Sequence, residues 1–212
     1  MPELVTAEKI RVMIADDHPI VCRGLSAMIQ AEQGMQVIGV ASNGQELLKI
    51  FRDQVPDVTL IDLRMPVMNG VEAVRAIRRE YPGAGIIILT TYKGDEDIFR
   101  GLEAGAQGYL LKGMPSHELL DAIRNVHKGL KYIPPPVMET LANRPPNSEL
   151  SGRELQVLKL IVKGMSNKQI GEELGISQST VKWHVNLMLA RLNVTDRTAA
   201  AVTALRRGIV EL

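Results

Sequence analysis

The chain has 212 residues, 45% of them hydrophobic and only 3% aromatic, enough to fill a core that must be mostly aliphatic. Its single cysteine, Cys22, excludes an internal disulfide, and no apolar run approaches the ~20 residues of a membrane span. The 25 basic and 24 acidic residues balance overall, but residues 149–212 carry 9 Lys+Arg against 6 Asp+Glu, a sign that fits a nucleic-acid contact and equally a mildly basic solvated surface. The start, Met1-Pro2-Glu3, shows no secretory pattern, so a cytoplasmic protein without membrane contact is expected.

In chain order, residues 10–128 alternate strand-like and helix-like segments. Strand Ile10-Ala15 leads to a helix from about Pro19 to Glu32, with proline favourably at the first helical position. Strand Gln36-Ala41 precedes a helix near Gly44-Gln54, with Leu47, Leu48 and Phe51 on one stripe. Strand Val58-Ile61 precedes a helix from Asn69 to Tyr81, where Asn69 and Glu72 have capping-box spacing. Strand Gly85-Leu89 precedes Asp95-Ala104, and strand Gly108-Leu111 precedes Ser116-Lys128. Five βα units in series predict an α/β domain, residues 8–130, with a parallel sheet covered on both faces.

Residues 131–148 hold five of the 11 prolines and read as a semi-rigid linker, within which Val137-Ala142 could be a short helix. Residues 149–212 then read as an all-α four-helix domain. Ser151 with Glu154, and Ser166 with Gln169, make capping boxes, and Gly164 and Gly175 close the first two helices. Ser177 caps a third helix running to about Leu192, and a fourth spans about Asp196-Arg207. The second and third helices, separated by Gly175-Ile176, have helix-turn-helix spacing.

Five residues directly follow or close the apolar runs: Asp16, Asp17, Asp62, Thr90 and Lys112. In a parallel sheet they gather at the carboxyl edge, where open α/β sheets bind ligands. Each has an ordinary reading, since a lone Asp caps a helix, a strand-end Thr reflects β-propensity and a Lys is usually solvated. Together, three carboxylates, a hydroxyl and an ammonium suit a divalent cation and a phosphoryl group. Adjacent Asp16-Asp17 repel unless a cation lies between them. A haloacid-dehalogenase-like phosphatase would need an Asp-x-Asp pair after the first strand, whereas here the two are adjacent and Asp62 comes from a later strand.

Asp16-Asp17, the run Ile61-Asp62-Leu63-Arg64-Met65-Pro66-Val67-Met68-Asn69-Gly70, Thr90, and Tyr109-Leu110-Leu111-Lys112 resemble the receiver domain of two-component response regulators. The resemblance implies a flavodoxin-like doubly wound five-stranded sheet, order 2-1-3-4-5. It makes Asp62 the phosphoacceptor. It implies Mg²⁺ held by Asp17, Asp62 and the backbone carbonyl of Arg64, with Asp16 acting through water. Lys112 and Thr90 would contact the phosphoryl oxygens while Tyr109 moves as a switch. Arg64 and Tyr92, two residues beyond Asp62 and Thr90, would crowd attacking water and lengthen the phosphoryl lifetime. One departure is Gly113 after Lys112, where many receivers carry a proline with a cis bond before it.

The tail resembles the DNA-binding domain of NarL/FixJ (LuxR-type) regulators through Leu150-Ser-Gly-Arg-Glu154, Val157-Leu158, Ser166-Asn167-Lys168, Ile170, Leu174, Thr180-Val181-Lys182, His184-Val185 and Arg197. Val181, Val185, Met188, Leu189 and Leu192 fall at core spacing, and Gly171 inside a helix suggests close packing. Lys182, Trp183 and Asn186 are expected in the major groove, with Ser166, Asn167, Lys168, Ser179 and Thr180 near phosphates. The expectation is a phosphorylation-activated transcription regulator. Its partners would be a sensor histidine kinase, double-stranded promoter DNA and, once phosphorylated, a second copy of itself. No enzymatic activity is expected beyond self-phosphorylation from a donor and slow autodephosphorylation.

Overall fold

Short aliphatic runs become the five strands β1 (Ile10–Ala15), β2 (Met35–Ala41), β3 (Val58–Ile61), β4 (Gly85–Thr90) and β5 (Gly108–Leu111). The computed structural model describes residues 8–91, 94–144 and 149–210. All neighbouring strands pair in parallel, in the order β2-β1-β3-β4-β5. Every residue of β3 and β4 is buried, as expected of inner parallel strands with helices on both faces. Side chains alternate between faces. Val12, Ile14, Val58, Leu60, Ile87 and Leu89 meet Leu25 and Ile29 of α1 (Pro19–Ala31) and Leu119, Ile123 and Val126 of α5 (Ser116–His127). The helices α2 (Gly44–Gln54), α3 (Gly70–Glu80) and α4 (Asp95–Glu103) complete this unit, with Leu47, Phe51, Val74, Ile77 and Ile98 buried. Each such aliphatic contributes about 1.5–3 kcal/mol on burial, well above what helix propensity supplies per residue, so packing fixes the helices.

The backbone edges that frame the ligand end are built locally. Pro19 opens α1 directly after the Asp16-Asp17-His18 turn. The capping box at α3 forms as expected, with Asn69 Oδ1 accepting from Glu72 N at 3.0 Å and Glu72 Oε2 accepting from Asn69 N at 3.1 Å. Between β3 and α3, Gly70 comes so close to the Asp62 carbonyl that a Cβ would lie 2.2 Å from that oxygen. No described peptide bond is cis, the one after Lys112 included, and Gly113 takes φ +91.

Contacts divide the chain into two units, one holding the described residues up to 91 and 98–138, the other 94–97 and 139–210. The proline-rich stretch is more structured than a plain linker. Tyr132 adds a parallel bridge to Gly108, its carbonyl accepting from Tyr109 N at 3.1 Å and its N–H donating to Gln107 O at 2.9 Å. The short helix α6 (Pro135–Ala142) starts two residues earlier than expected, because prolines in a first turn lose no helical hydrogen bond. Residues 145–148 of that stretch lie outside the described residues.

In the second unit lie the four expected helices, α7 (Gly152–Val162), α8 (Asn167–Leu174), α9 (Gln178–Leu192) and α10 (Arg197–Arg207). Both serine capping boxes are present, and Gly175 ends α8 in the left-handed conformation. Val157, Leu158, Ile161, Ile170, Val181, Val185, Met188, Leu192, Ala200 and Ala204 make one core. The Glu154 carboxylate, 1% exposed, is satisfied by Ser151 N and Oγ at 2.7 Å each and by Arg191 Nη1 at 2.8 Å.

Candidate functional site

At the carboxyl edge of the sheet, β1 ends in Asp16 and Asp17, β3 in Asp62, β4 in Thr90 and β5 in Lys112. Asp62 stands at the centre of the edge because β3 is the middle strand. Asp16 and Asp62 are each 3% exposed, and Thr90 and Tyr109 are fully buried. Lys112 Nζ lies 2.7 Å from Asp16 Oδ2 and 2.8 Å from Asp62 Oδ2, so one ammonium joins two buried carboxylates. A backbone bond from Lys112 N to Thr90 O at 2.8 Å keeps those two strand ends in register. Arg64 follows in the loop after Asp62 and is half-buried. Tyr92 lies outside the described residues.

Burial pushes the Asp62 carboxyl above its ordinary value, and the hydrogen bond and charge of Lys112 only partly oppose this. Burial also pulls the Lys112 ammonium down, but its bonds and charge interactions with Asp16 and Asp62 more than reverse that, leaving it raised. The two shifts are not mirror images because the ammonium has two carboxylates, whereas Asp62 must share one ammonium with Asp16. Asp62 Oδ1 and Asp17 Oδ1 are buried atoms without a hydrogen-bond partner. An unpartnered buried carboxylate oxygen is costly, and three carboxylates converging on one spot form a hard-oxygen donor set that fits Mg²⁺.

Sequence reasoning missed His18. Its Nδ1 lies 3.1 Å from Asp16 Oδ1 and 2.8 Å from Asp17 Oδ1, the latter in a geometry that makes no hydrogen bond. The available signal was its place beside the paired aspartates, directly before a helix-opening proline. Beside Asp16 and Asp17 a cleft of about 510 Å³ opens, lined also by Cys22, Arg23, Ser42 and Glu46. The Cys22 thiol is buried, donates to the Asp16 carbonyl at 3.3 Å, and is pushed up in pKa by burial, which suits a small helix residue rather than a nucleophile.

The second candidate surface is the helix-turn-helix. Lys168 on α8, and Lys182, Trp183 and Asn186 on α9, are exposed, while Val181, Val185 and Met188 point inward. Trp183 is 58% exposed, its ring edge-on to His184 at a centroid distance of 4.8 Å. It faces away from the core, as its neighbours' spacing predicted. Four polar candidates are partly engaged in holding the helix starts. Ser166 caps α8, Asn167 is half-buried in its first turn, and Ser177 Oγ bonds Ser179 Oγ at 2.7 Å and Thr180 Oγ1 at 2.8 Å.

The response regulator receiver domain family matches residues 12–124, and the luxR family of bacterial regulatory proteins matches residues 148–204. The chain is 42% identical over 209 residues to the transcriptional regulatory protein LiaR of Bacillus subtilis, a match covering 95% of this chain and 99% of that one. It is 39% identical over 214 residues to the nitrate/nitrite response regulator protein NarP of Escherichia coli, covering 98% of each. Among solved structures it is similar to RcsB of Salmonella enterica serovar Typhimurium, bound to a promoter in the presence of the phosphomimetic BeF3−. That likeness has a TM-score of 0.70 and 26% identity, and covers 92% of this chain and 98% of that one.

Proposed function

Because this chain belongs to the two-component response regulators that join a receiver domain to a LuxR-family DNA-binding domain, we propose that a sensor histidine kinase switches it by phosphorylating Asp62. The observation that carries the reading is the meeting of Asp16, Asp62 and Lys112 at one buried point of the sheet edge. Asp62 Oδ1, which has no hydrogen-bond partner, attacks the phosphorus. The bond from phosphorus to the donor's imidazole nitrogen breaks, and its electron pair stays on that nitrogen. Mg²⁺, which Asp17, Asp62 and the backbone carbonyl of Arg64 would hold with Asp16 acting through water, would neutralise charge on the transferring phosphoryl oxygens. Lys112 Nζ then passes from the Asp62 carboxylate to a phosphoryl oxygen, and the Thr90 hydroxyl follows from the end of β4. Tyr109, buried on β5, takes up the space that Thr90 leaves, which carries the change to the surface.

Phosphorylation then favours a homodimer, and two tails bind paired half-sites with an avidity that one lacks. RcsB, whose solved structures include two dimers bound to two parallel DNAs, supports binding to DNA as a dimer by analogy. Chemistry beyond accepting and slowly losing the phosphoryl group is not part of this role. The partners, a kinase phosphohistidine and promoter DNA, put its work in the cytoplasm. The test is incubation with Mg²⁺ and acetyl phosphate followed by intact mass. One added phosphoryl group is expected, absent in Asp62→Asn, and equal labelling of that variant would overturn the assignment.

A further inference from the structure

We propose that His18 is a nitrogen ligand to the cation of this pocket, so that the site accepts transition-series divalent ions such as Mn²⁺ and Ni²⁺ as well as Mg²⁺. The inference rests on reading the pocket as a cation site and adds a ligand to it. One ligand atom from each of Asp16, Asp17, His18 and Asp62 lies within 4.8 Å of the others. Ligands about 2.0–2.2 Å from one ion stand roughly 3 Å apart when adjacent and roughly 4.2 Å when opposite. The 2.8 Å and 3.1 Å from His18 Nδ1 to the two aspartate oxygens are adjacent-ligand spacings.

The ring is held by a hydrogen bond between its Nδ1 and Asp16 Oδ1 at 3.1 Å, a place an arriving ion would take. His18 is the N-cap residue of α1, yet its side chain makes no capping bond. Ser, Thr, Asp or Asn would serve better there. The backbone also fixes the residue, with His18 N donating to Asp16 Oδ1 at 2.9 Å and Pro19 fixing the next turn. That backbone presents the imidazole to the carboxylates while the side chain remains 64% exposed and open to an arriving ion. The independent observation is Asp62, 3% exposed, whose Oδ1 is buried in the same cluster without a hydrogen-bond partner. All-oxygen sites suit Mg²⁺, whereas adding one imidazole raises affinity along the series Mn²⁺ to Ni²⁺ and does little for Mg²⁺.

The test uses tag-free, full-length, unphosphorylated protein. Pulsed EPR of bound Mn²⁺ should show nitrogen-14 modulation from a directly coordinated imidazole, and His18→Ala should lose it. By calorimetry, His18→Ala should weaken Ni²⁺ by about tenfold or more and Mg²⁺ by less than about twofold. Bound Mn²⁺ without nitrogen coupling in the wild-type protein overturns the proposal, and so does an equal loss for Ni²⁺ and Mg²⁺ in His18→Ala. The EPR arm does not depend on the variant folding. If Asp17→Asn and Asp62→Asn leave Mn²⁺ binding unchanged, the ion sits elsewhere and the cation reading of the pocket fails as well. A carboxylate-dependent ion without nitrogen coupling sinks the histidine alone.

Discussion

Lys112 Nζ stands 2.8 Å from Asp62 Oδ2, yet the Asp62 carboxyl is raised rather than lowered. Burial therefore outweighs the ion pair at Asp62. A carboxyl whose pKa is higher folded than unfolded favours the fold while protonated. That contribution is complete below the unfolded value and is lost as pH rises through the folded one, so at neutral pH the ionised Asp62 opposes folding. In chelator, Asp62→Asn is expected to stabilise the receiver on the order of 1 kcal/mol near neutral pH. The difference should shrink as pH falls into the carboxylate range. Urea unfolding of both proteins across that range, followed by far-UV circular dichroism, measures it. A variant no more stable than wild type at neutral pH would mean the Lys112 pair dominates after all.

A second strain lies in the loop after Asp62. Val67 has φ +68 and is 73% exposed, so a β-branched residue sits in the left-handed region with no packing to hold it there. Asparagine tolerates that conformation. Val67→Asn is expected to stabilise the receiver by about 1 kcal/mol. An unchanged urea midpoint would show that the loop relaxes out of this conformation in solution.

In the helix-turn-helix the deciding glycine is Gly171. Helix propensity alone would favour alanine there by about 1 kcal/mol. A Cβ would stand 2.7 Å from the Ile176 carbonyl oxygen, whose residue also donates its N–H to Gly171 O at 2.9 Å. Backbone cannot step aside without opening the turn between α8 and α9. Gly171→Ala should therefore destabilise the tail by roughly 1–3 kcal/mol. Gly152→Ala, where a Cβ meets nothing within 4 Å, should be neutral or mildly stabilising. Fluorescence of Trp183 during urea unfolding reports both, and equal behaviour of the two variants would refute the close-contact account.

The five edge residues and the tail helices were legible because each rests on a local signal, whereas the sheet order came only from the resemblance to receiver domains. Aliphatic runs ending in a polar residue mark β1, β3, β4 and β5, and serine or asparagine with Glu or Gln three residues on marks α3, α7 and α8. The paired role of Lys112 between Asp16 and Asp62 was not legible, since it depends on side chains from three strands meeting in space. Tyr132 escaped because a single bridging residue has no periodicity, and its proline neighbours argue for a linker. His18 escaped because nothing in the sequence says which way the ring of an N-cap residue points.

The last prediction separates positioning contacts from reading contacts on the tail. Lys168 is exposed near the start of α8, where a charge can meet phosphate, and Lys182 is exposed in the first turns of α9, where a side chain reaches base edges. Lys168→Ala should weaken binding to all duplexes alike and lower the salt slope by about 1. Lys182→Ala should cost about 1–3 kcal/mol on the cognate site and less on random DNA. Neither side chain is in the core, so the urea midpoint of the tail should hardly move. Titration of specific and random duplexes at several salt concentrations measures both effects. If the two variants lose the same factor on both duplexes, Lys182 touches only the backbone, and base reading falls to Trp183, Asn186 or DNA shape.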